Sequence, residues 1–236
     1  MPRQLLILPG WGGTRESWRK FSDLAKDDFQ VICLELPCFG AEPCPAEAWG
    51  VKEYADFVSQ KIKELNLIKP VLLGHSFGGQ VAAYLAAREP QLISRLVLSG
   101  AAALRPKRGL RKAVLGILAK CGKAFFNIPP LKSFSVPARK YLYKLAGALD
   151  YEEASGIKRE IFKKIICQDL TEELKKIKTP TLVVWGTLDS YVPLTSGKKI
   201  AELIPGARLE IISGGKHGLH LQLPEKLYEI IKNFLK

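Results

Sequence analysis

Short apolar runs that alternate with amphipathic helical stretches restrict the fold of this 236-residue chain more than any other feature of its sequence. Continuous apolar strands between helices are typical of a mainly parallel sheet that is covered on both faces. The predicted strands are Leu5–Leu8, Val31–Leu34, Val71–Leu73, Leu96–Leu98, Thr181–Trp185 and Leu209–Ile212. We therefore expect an α/β protein with a mostly parallel, six-stranded sheet flanked by helices.

The alternation is interrupted once, between the fourth and fifth predicted strands. Over residues 105–168 the pattern is helical and rich in basic residues. A chain of this length forms one substantial core, and α/β folds of this size commonly carry an insertion. The sequence therefore predicts a core made of residues 1–104 and 169–236, with a helical basic cap, residues 105–168, inserted after the fourth strand.

The formal net charge of +13 comes mainly from this predicted cap. No Asp or Glu lies between Leu104 and Leu149, and the eleven cations of that stretch are Arg105, Lys107, Arg108, Arg111, Lys112, Lys120, Lys123, Lys132, Arg139, Lys140 and Lys144. One interpretation is a helix whose charges are simply solvated. The functional alternatives are contact with an anionic membrane surface, or steering of an acidic protein or anionic substrate. Nucleic acid is a weaker hypothesis, because no binding motif accompanies the charge.

The cysteines and the N-terminal residues give an indication of the cellular compartment. The five cysteines are odd in number and form no C-x-x-C pair, which predicts neither a disulfide framework nor a zinc site. The apolar stretch Leu5–Leu8 is too short for the core of a signal peptide. No apolar run approaches the roughly 20 residues that span a bilayer. We expect a soluble, untargeted, cytoplasmic protein.

A candidate nucleophile lies between the third predicted strand and the helix that follows it. The segment Gly74–Gly79 reads GHSFGG and contains the G-x-S-x-G pattern of a nucleophile elbow. Such a turn lifts the Ser76 hydroxyl out of the sheet and places the next backbone N–H at the positive end of a helix. By itself the pattern also fits an ordinary tight turn, but the strand-turn-helix context favours the catalytic interpretation.

A serine nucleophile needs a base, and the sequence offers His75, His217 and His220. His75 is inside the elbow and should point away from the serine. The other two follow the last strand, whose carboxyl end lies on the same rim of the sheet as the elbow. We favour His217, which is nearer to the glycines of its loop, and interpret His220 as a packed or solvated loop residue.

The best candidate for the orienting acid is Asp189, which closely follows the fifth strand. Its alternative role is that of a turn aspartate. The other carboxylates near strand ends, Glu35 and Glu210, fall within or just before apolar runs. We expect a ring nitrogen of His217 within hydrogen-bond reach of the Ser76 hydroxyl, or somewhat beyond it if the apo site is loose, and Asp189 on the other nitrogen.

With Ser76, Asp189 and His217 in this order, the chain resembles the α/β-hydrolase superfamily from end to end. The motifs that carry the resemblance are the oxyanion turn Leu8–Gly13, the elbow Gly74–Gly79, the acid loop Trp185–Pro193 and the histidine loop Gly215–Pro224. The resemblance implies a fold with a short N-terminus, without the two N-terminal strands that are common in the family.

The resemblance assigns the oxyanion hole to the backbone N–H groups of Trp11 and Phe77. Family members usually carry His-Gly in the oxyanion turn, where this chain has Pro9-Gly10. The hole consists of backbone groups, so this departure concerns the conformation of the turn.

The activity that the resemblance implies is hydrolysis of a carboxylic ester, or of a thioester, through an acyl-enzyme on Ser76, with no metal or organic cofactor. The expected partner is a small-molecule ester. Cap-bearing esterases that act on acyl groups attached to acidic carrier proteins are similar to this chain in their basic cap. The alternative from another class is a non-catalytic receptor or scaffold of the same fold that binds a small molecule under the cap.

Overall fold

The computed structural model describes residues 3–105 and 156–236, and within them six parallel strands form a single sheet. The strands are β1 (Arg3–Leu8), β2 (Phe29–Cys33), β3 (Val71–His75), β4 (Arg95–Ser99), β5 (Thr181–Gly186) and β6 (Arg208–Ile212). Their order across the sheet is β2-β1-β3-β4-β5-β6. The predicted α/β class and the six-stranded parallel sheet are confirmed. Most of the predicted basic stretch, residues 106–155, lies outside the described residues.

Helices cover both faces of the sheet. In the described part of the chain they are α1 (Arg19–Ala25), α2 (Val51–Glu64), α3 (Phe77–Arg88), α4 (Gly156–Cys167), α5 (Thr171–Leu174), α6 (Leu194–Leu203), α7 (Leu219–Gln222) and α8 (Pro224–Leu235). Helices α2 to α6 contribute to the core on one face, and α1, α7 and α8 contribute to the core on the other. None of these helices is long and apolar enough to cross a membrane.

The two apolar cores explain why the strands read as continuous apolar runs. In β1, Leu6 and Leu8 belong to the core on one face, and Leu5 and Ile7 belong to the core on the other. All four side chains are fully buried. Successive side chains of a strand point to opposite faces, so a sheet covered on both sides requires apolar residues at consecutive positions.

The two ends of the predicted insertion meet at one place on the core. The Arg105 N–H donates to the Asp169 carboxylate at 2.7 Å. The Arg105 guanidinium donates to the Gln168 and Ile165 carbonyls, which lie at the C-terminal end of α4. Gln80, buried on α3, donates to the same two carbonyls. Arg105 is one of the cations of the predicted cap, but its guanidinium binds the carbonyls at the end of α4, at the edge of the core.

One expectation about the cysteines is wrong. Cys38 and Cys44, six residues apart in the loop after β2, form a disulfide with their Cα atoms 4.1 Å apart. The loop folds back on itself, and the Cys38 N–H donates to the Pro43 carbonyl at 3.2 Å. An odd total does not prevent two nearby cysteines from pairing when a turn brings them together. The cysteine pattern therefore no longer supports the expectation of a cytoplasmic protein.

Candidate active site

The strand order places the site at the point where the sheet reverses its direction of growth. The chain passes from β1 outward to β2 and then returns to the other side of β1 to form β3. Ligands of open α/β sheets bind at the carboxyl ends of strands at such a switch point. Leu8 is paired with Gly74, so the turn that follows β1 lies beside the elbow that follows β3.

Ser76 occupies a strained turn between β3 and α3, with φ 52° and ψ −114°. Such backbone conformations cost about 1–3 kcal/mol and persist only where the surroundings impose them. Here the Ser76 N–H donates to the Ser99 carbonyl, and the Ser76 carbonyl accepts the N–H groups of Gln80 and Ala102. A Cβ at Gly78 would lie 2.2 Å from the Leu8 carbonyl oxygen, so only glycine permits this close approach.

Asp189 is bound through both of its carboxylate oxygens. Oδ1 accepts the N–H groups of Tyr191 and Val192 at 2.9 Å each, and Oδ2 lies 2.8 Å from Nδ1 of His217. The Asp189 side chain is 1% exposed and that of His217 is 16% exposed. A carboxylate at Nδ1 requires the proton to be on that nitrogen, which leaves the Nε2 lone pair free to accept a proton.

Gly100, directly after β4, lies against this pair and was missed by the sequence analysis. A Cβ at Gly100 would lie 3.1 Å from Nδ1 of His217 and 3.3 Å from Oδ2 of Asp189. Its φ of +56° also disfavours any other residue. A glycine after a strand indicates only a turn in the sequence, so nothing local marks it as a neighbour of the acid loop.

The other two histidines are buried beside the site. His75 hydrogen-bonds through Nδ1 to the Ser99 carbonyl at 3.0 Å, and its ring centroid lies 4.7 Å from that of His217. His220 stacks on Trp18 with centroids 4.0 Å apart, and its Nδ1 has no hydrogen-bond partner in the described part of the chain. The structure therefore brings His217, and not His220, to Asp189.

Burial sets the protonation of these two residues. Desolvation, followed by the charges of His220 and His217, holds the pKa of His75 well below its usual range. Desolvation, followed by the charge of His217, lowers the pKa of His220 to about 4. Both rings are therefore neutral at neutral pH and place no additional positive charge next to His217.

The hydroxyl of Ser76 and the ring of His217 share this site without a hydrogen bond between them. Ser76 is partly exposed, and no hydrogen bond joins its hydroxyl to His217 or to any other described residue. Catalytic hydrogen bonds are often long or poorly aligned in unliganded enzymes and tighten only when substrate binds. The structure thus places Ser76 and His217 at one rim without a direct hydrogen bond between them.

The turn after β1 brings Trp11 to the opposite side of Ser76. A Cβ at Gly10 would lie 3.1 Å from that of Ser76, so the turn packs closely against the serine. Neither the Trp11 N–H nor the Phe77 N–H donates to any acceptor in residues 3–105 and 156–236. Within the described part of the chain, both groups are therefore unpaired donors.

Aromatic rings surround the Trp11 side of the site. The Trp11 ring makes edge contacts with Phe39, Phe77 and Phe162, at centroid distances of 4.8, 5.8 and 4.9 Å. These rings come from the loop after β2, from α3 and from α4. On the opposite side the exposed Tyr191 ring stacks on His217 at 5.2 Å. Neither contact could be predicted from the sequence, because the rings are distant from one another along the chain.

A family model described as alpha/beta hydrolase fold matches residues 4–155, more than half of the chain. The chain belongs to the α/β-hydrolase family. It is 27% identical to the uncharacterized hydrolase YugF of Bacillus subtilis, over 99% of this chain and 90% of that protein. It is 25% identical to the pimeloyl-[acyl-carrier protein] methyl ester esterase of Vibrio campbellii, over 90% of this chain and 87% of that protein.

Solved structures of α/β hydrolases are also similar to this chain. A bacterial membrane phospholipase A, described as a virulence factor, superimposes with a TM-score of 0.77. The two chains are 25% identical, and the match covers 99% of this chain and 78% of the phospholipase chain. The α/β-hydrolase fold of the chain is thus supported by sequence and by structure.

Proposed function

We propose that the protein is a serine hydrolase that cleaves a carboxylic ester through an acyl-enzyme on Ser76. The observation that carries this proposal is the hydrogen-bonded pair of Asp189 and His217. The pair presents a free imidazole nitrogen in the same rim site as a serine held in a strained elbow. A serine hydroxyl becomes a useful nucleophile only beside such an oriented base.

In the proposed reaction, Nε2 of His217 takes the Ser76 proton as Oγ attacks the ester carbonyl carbon. The resulting imidazolium is stabilised by Asp189 and returns the proton to the leaving alcohol as the C–O bond breaks. Water then attacks the acyl-enzyme, His217 takes a proton from this water, and the acid leaves as Ser76 regains its proton. No step requires a metal or an organic cofactor.

The tetrahedral oxyanion of both steps would be bound by the N–H groups of Trp11 and Phe77. Support comes from their lack of other acceptors in the described part of the chain and from the closeness of Gly10 to Ser76. The Phe77 N–H also lies at the N-terminus of α3, where the helix dipole favours negative charge.

An ester with an apolar acyl group is the substrate class that the site favours. The rings of Trp11, Phe39 and Phe162 supply an apolar surface next to the proposed oxyanion hole. The names of an esterase and a phospholipase among the similar proteins are consistent with ester chemistry, and a thioester is the second candidate.

For the insertion we propose that residues 105–168 form a cap over the site, with 1–104 and 169–236 as the core. Support comes from α4, the described end of the insertion, whose Phe162 contacts Trp11. The proposed partners of the basic stretch are an acidic carrier protein or an anionic membrane surface.

The decisive experiment is labelling with a fluorophosphonate, which reacts only with an activated serine, together with hydrolysis of p-nitrophenyl esters of increasing acyl length. We expect the wild-type chain to be labelled and to hydrolyse the esters, and Ser76→Ala to do neither. Ser94→Ala is the matched control, because Ser94 lies at the opposite, amino-terminal end of β4. A folded wild-type protein that resists the probe and binds the ester unchanged would support the receptor alternative instead.

A further inference from the structure

Glu35 is a carboxylate on the same rim of the sheet that the proposed reaction does not use. It lies two residues after β2, and the Leu34 N–H is bound to the Ile7 carbonyl of β1 at 2.9 Å. The Glu35 backbone is thus fixed directly beside the strand that leads into the Trp11 turn.

The two carboxylate oxygens of Glu35 bind two different loops. Oε1 accepts the Arg15 N–H at 2.9 Å, at the end of the turn that follows β1. Oε2 accepts the Ala41 N–H at 3.0 Å, inside the loop that the Cys38–Cys44 disulfide closes. One side chain therefore connects the turn that carries Trp11 to the loop that follows β2.

The carboxylate occupies a space that only glycine leaves open. A Cβ at Gly40, where φ is +57°, would lie between 2.1 and 2.4 Å from the three carboxyl atoms of Glu35. The N–H groups of Ala41 and Arg15, in that order, lower the pKa of Glu35, so the group stays ionised at neutral pH. Two backbone hydrogen bonds to an ionised acceptor are stronger than bonds to a neutral one.

The same two loops make a second contact at the site itself. Phe39, within the disulfide-closed loop, packs its ring against Trp11 at 4.8 Å. Cys38 and Phe39 are both buried, and Cys38 has a left-handed backbone with φ 76°. Glu35 therefore holds the Trp11 turn at its end, through Arg15. It also binds the loop whose Phe39 packs against the Trp11 ring.

We infer that Glu35 is a positioning residue for the oxyanion hole, holding the Gly10–Arg15 turn so that the Trp11 N–H stays aimed at the reacting oxygen. This inference rests on the proposed function. Donors of an oxyanion hole act because they are fixed before the reaction, and a displaced donor stabilises the transition state less while leaving substrate binding nearly unchanged. A carboxylate that only joined two loops would instead affect stability alone.

The test compares Glu35→Gln, Glu35→Ala and the control Glu210→Gln. Glu210 lies in the middle of β6, and among the described residues its side chain binds the half-exposed Arg208. Gln keeps one acceptor oxygen, so we expect kcat for p-nitrophenyl butyrate to fall about tenfold, compared with the 10²- to 10³-fold that removal of a whole oxyanion donor costs. Ala keeps none and should lose more, whereas Glu210→Gln should retain wild-type kcat.

Two further readouts separate positioning from a purely structural role. The KM should stay within about twofold of wild type, and the Ki of an alkylboronic acid, which forms a tetrahedral adduct on serine, should rise by the same factor as kcat falls. Gly40→Ala should give the same pattern with the charge retained, because its Cβ displaces the carboxylate. This variant also serves if Glu35→Gln does not fold.

Unchanged kcat in a folded Glu35→Gln or Gly40→Ala protein would overturn the inference, as would a loss confined to KM or a loss equal to that of Glu210→Gln. These outcomes can be distinguished from failure of the proposed function. If wild type hydrolyses esters and Ser76→Ala does not, the function stands whatever Glu35 does. If wild type is inactive and unlabelled, the function itself fails.

Discussion

The two sides of the candidate site are held by different kinds of interaction. On one side, Asp189 and His217 are joined by a side-chain hydrogen bond, and both come from loops at the ends of neighbouring strands. On the other side, the Trp11 turn is positioned through backbone groups, by the Glu35 carboxylate and by packed rings. The first side depends on the identity of a few side chains. The second depends on how several loops fit together.

This difference predicts which substitutions should cause a large loss of activity and which a moderate one. Removing a member of an acid–base pair changes a protonation state, whereas loosening a turn changes only the average position of a donor. We therefore expect large losses on the Asp189 side and moderate losses on the Trp11 side.

The sharpest test of this comparison is Asp189→Asn. The amide would place its NH2 group or a neutral oxygen at Nδ1 and favour the wrong tautomer of His217, so kcat should fall about 10⁴-fold. Asp27→Asn, at the opposite end of the sheet, is the control and should keep full activity. The measurement is steady-state hydrolysis of a p-nitrophenyl ester. A loss below tenfold would place the orienting acid elsewhere and remove the contrast between the two sides.

Gly100→Ala tests whether space, and not only charge, matters on the Asp189 side. The new Cβ would press on both His217 and Asp189, and a displacement of about 1 Å costs on the order of 10²-fold in rate. Gly206→Ala is a matched control, because its φ is +69° but nothing lies within 4 Å of its Cβ position. Both variants should lose about 1–2 kcal/mol of stability from the left-handed backbone. Similar kcat losses in both would show that backbone strain alone is responsible.

The buried His220 should make stability depend on pH. Burial, then the charge of His217, lowers its pKa to about 4 in the folded state, from an ordinary value of 6.5. The unfolded chain therefore binds more protons between these values, and the free energy of unfolding decreases as pH falls from 6.5 towards 4. The loss from this group is about 2 kcal/mol at pH 5.

His220→Phe keeps a ring against Trp18 and removes the titration. Its free energy of unfolding, measured in urea at pH 7.5 and pH 5, should decline by about 2 kcal/mol less than that of wild type. The remaining decline includes His75, whose pKa is also lowered by burial. An unchanged difference between the two pH values would show that His220 does not titrate in this way.

Tyr191→Ala should give the smallest effect. The ring stacks on His217 and is 59% exposed, so its attraction for the transient imidazolium is worth about 0.5–1 kcal/mol, or a two- to fivefold loss in kcat. Leu188→Ala is the control, because Leu188 lies in the same loop with the same exposure. Tyr191→Phe should retain the wild-type rate. Equal losses for Ala at both positions would assign the effect to the loop as a whole.

The sequence was informative where chemistry depends on residue type at the end of a strand. The strands could be predicted because burial on both faces requires continuous apolar runs. Asp189 and His217 could be proposed as partners because the loops that carry them follow strands on one rim, and the structure places their side chains 2.8 Å apart.

The sequence was uninformative where function depends on distant residues meeting. The sequence indicates Glu35 only as an alternative acid, because nothing near it along the chain indicates that Arg15 and Ala41 donate to it. Gly100 contacts the acid loop only because β4 lies between β3 and β5. The Cys38–Cys44 disulfide depends on how a short loop turns, which a count of cysteines does not reveal.

The junction of Arg105 with Asp169 makes the insertion modular. Its two ends are one hydrogen bond apart, and the Leu170 N–H also binds the Ala103 carbonyl at 2.9 Å. With its ends joined in this way, the segment closes a loop on the core. The entropic cost of closing such a loop rises by only about 0.6 kcal/mol for each doubling of its length. In the proposed architecture, replacing the segment between Arg105 and Asp169 would change what reaches Ser76 and leave the sheet unchanged.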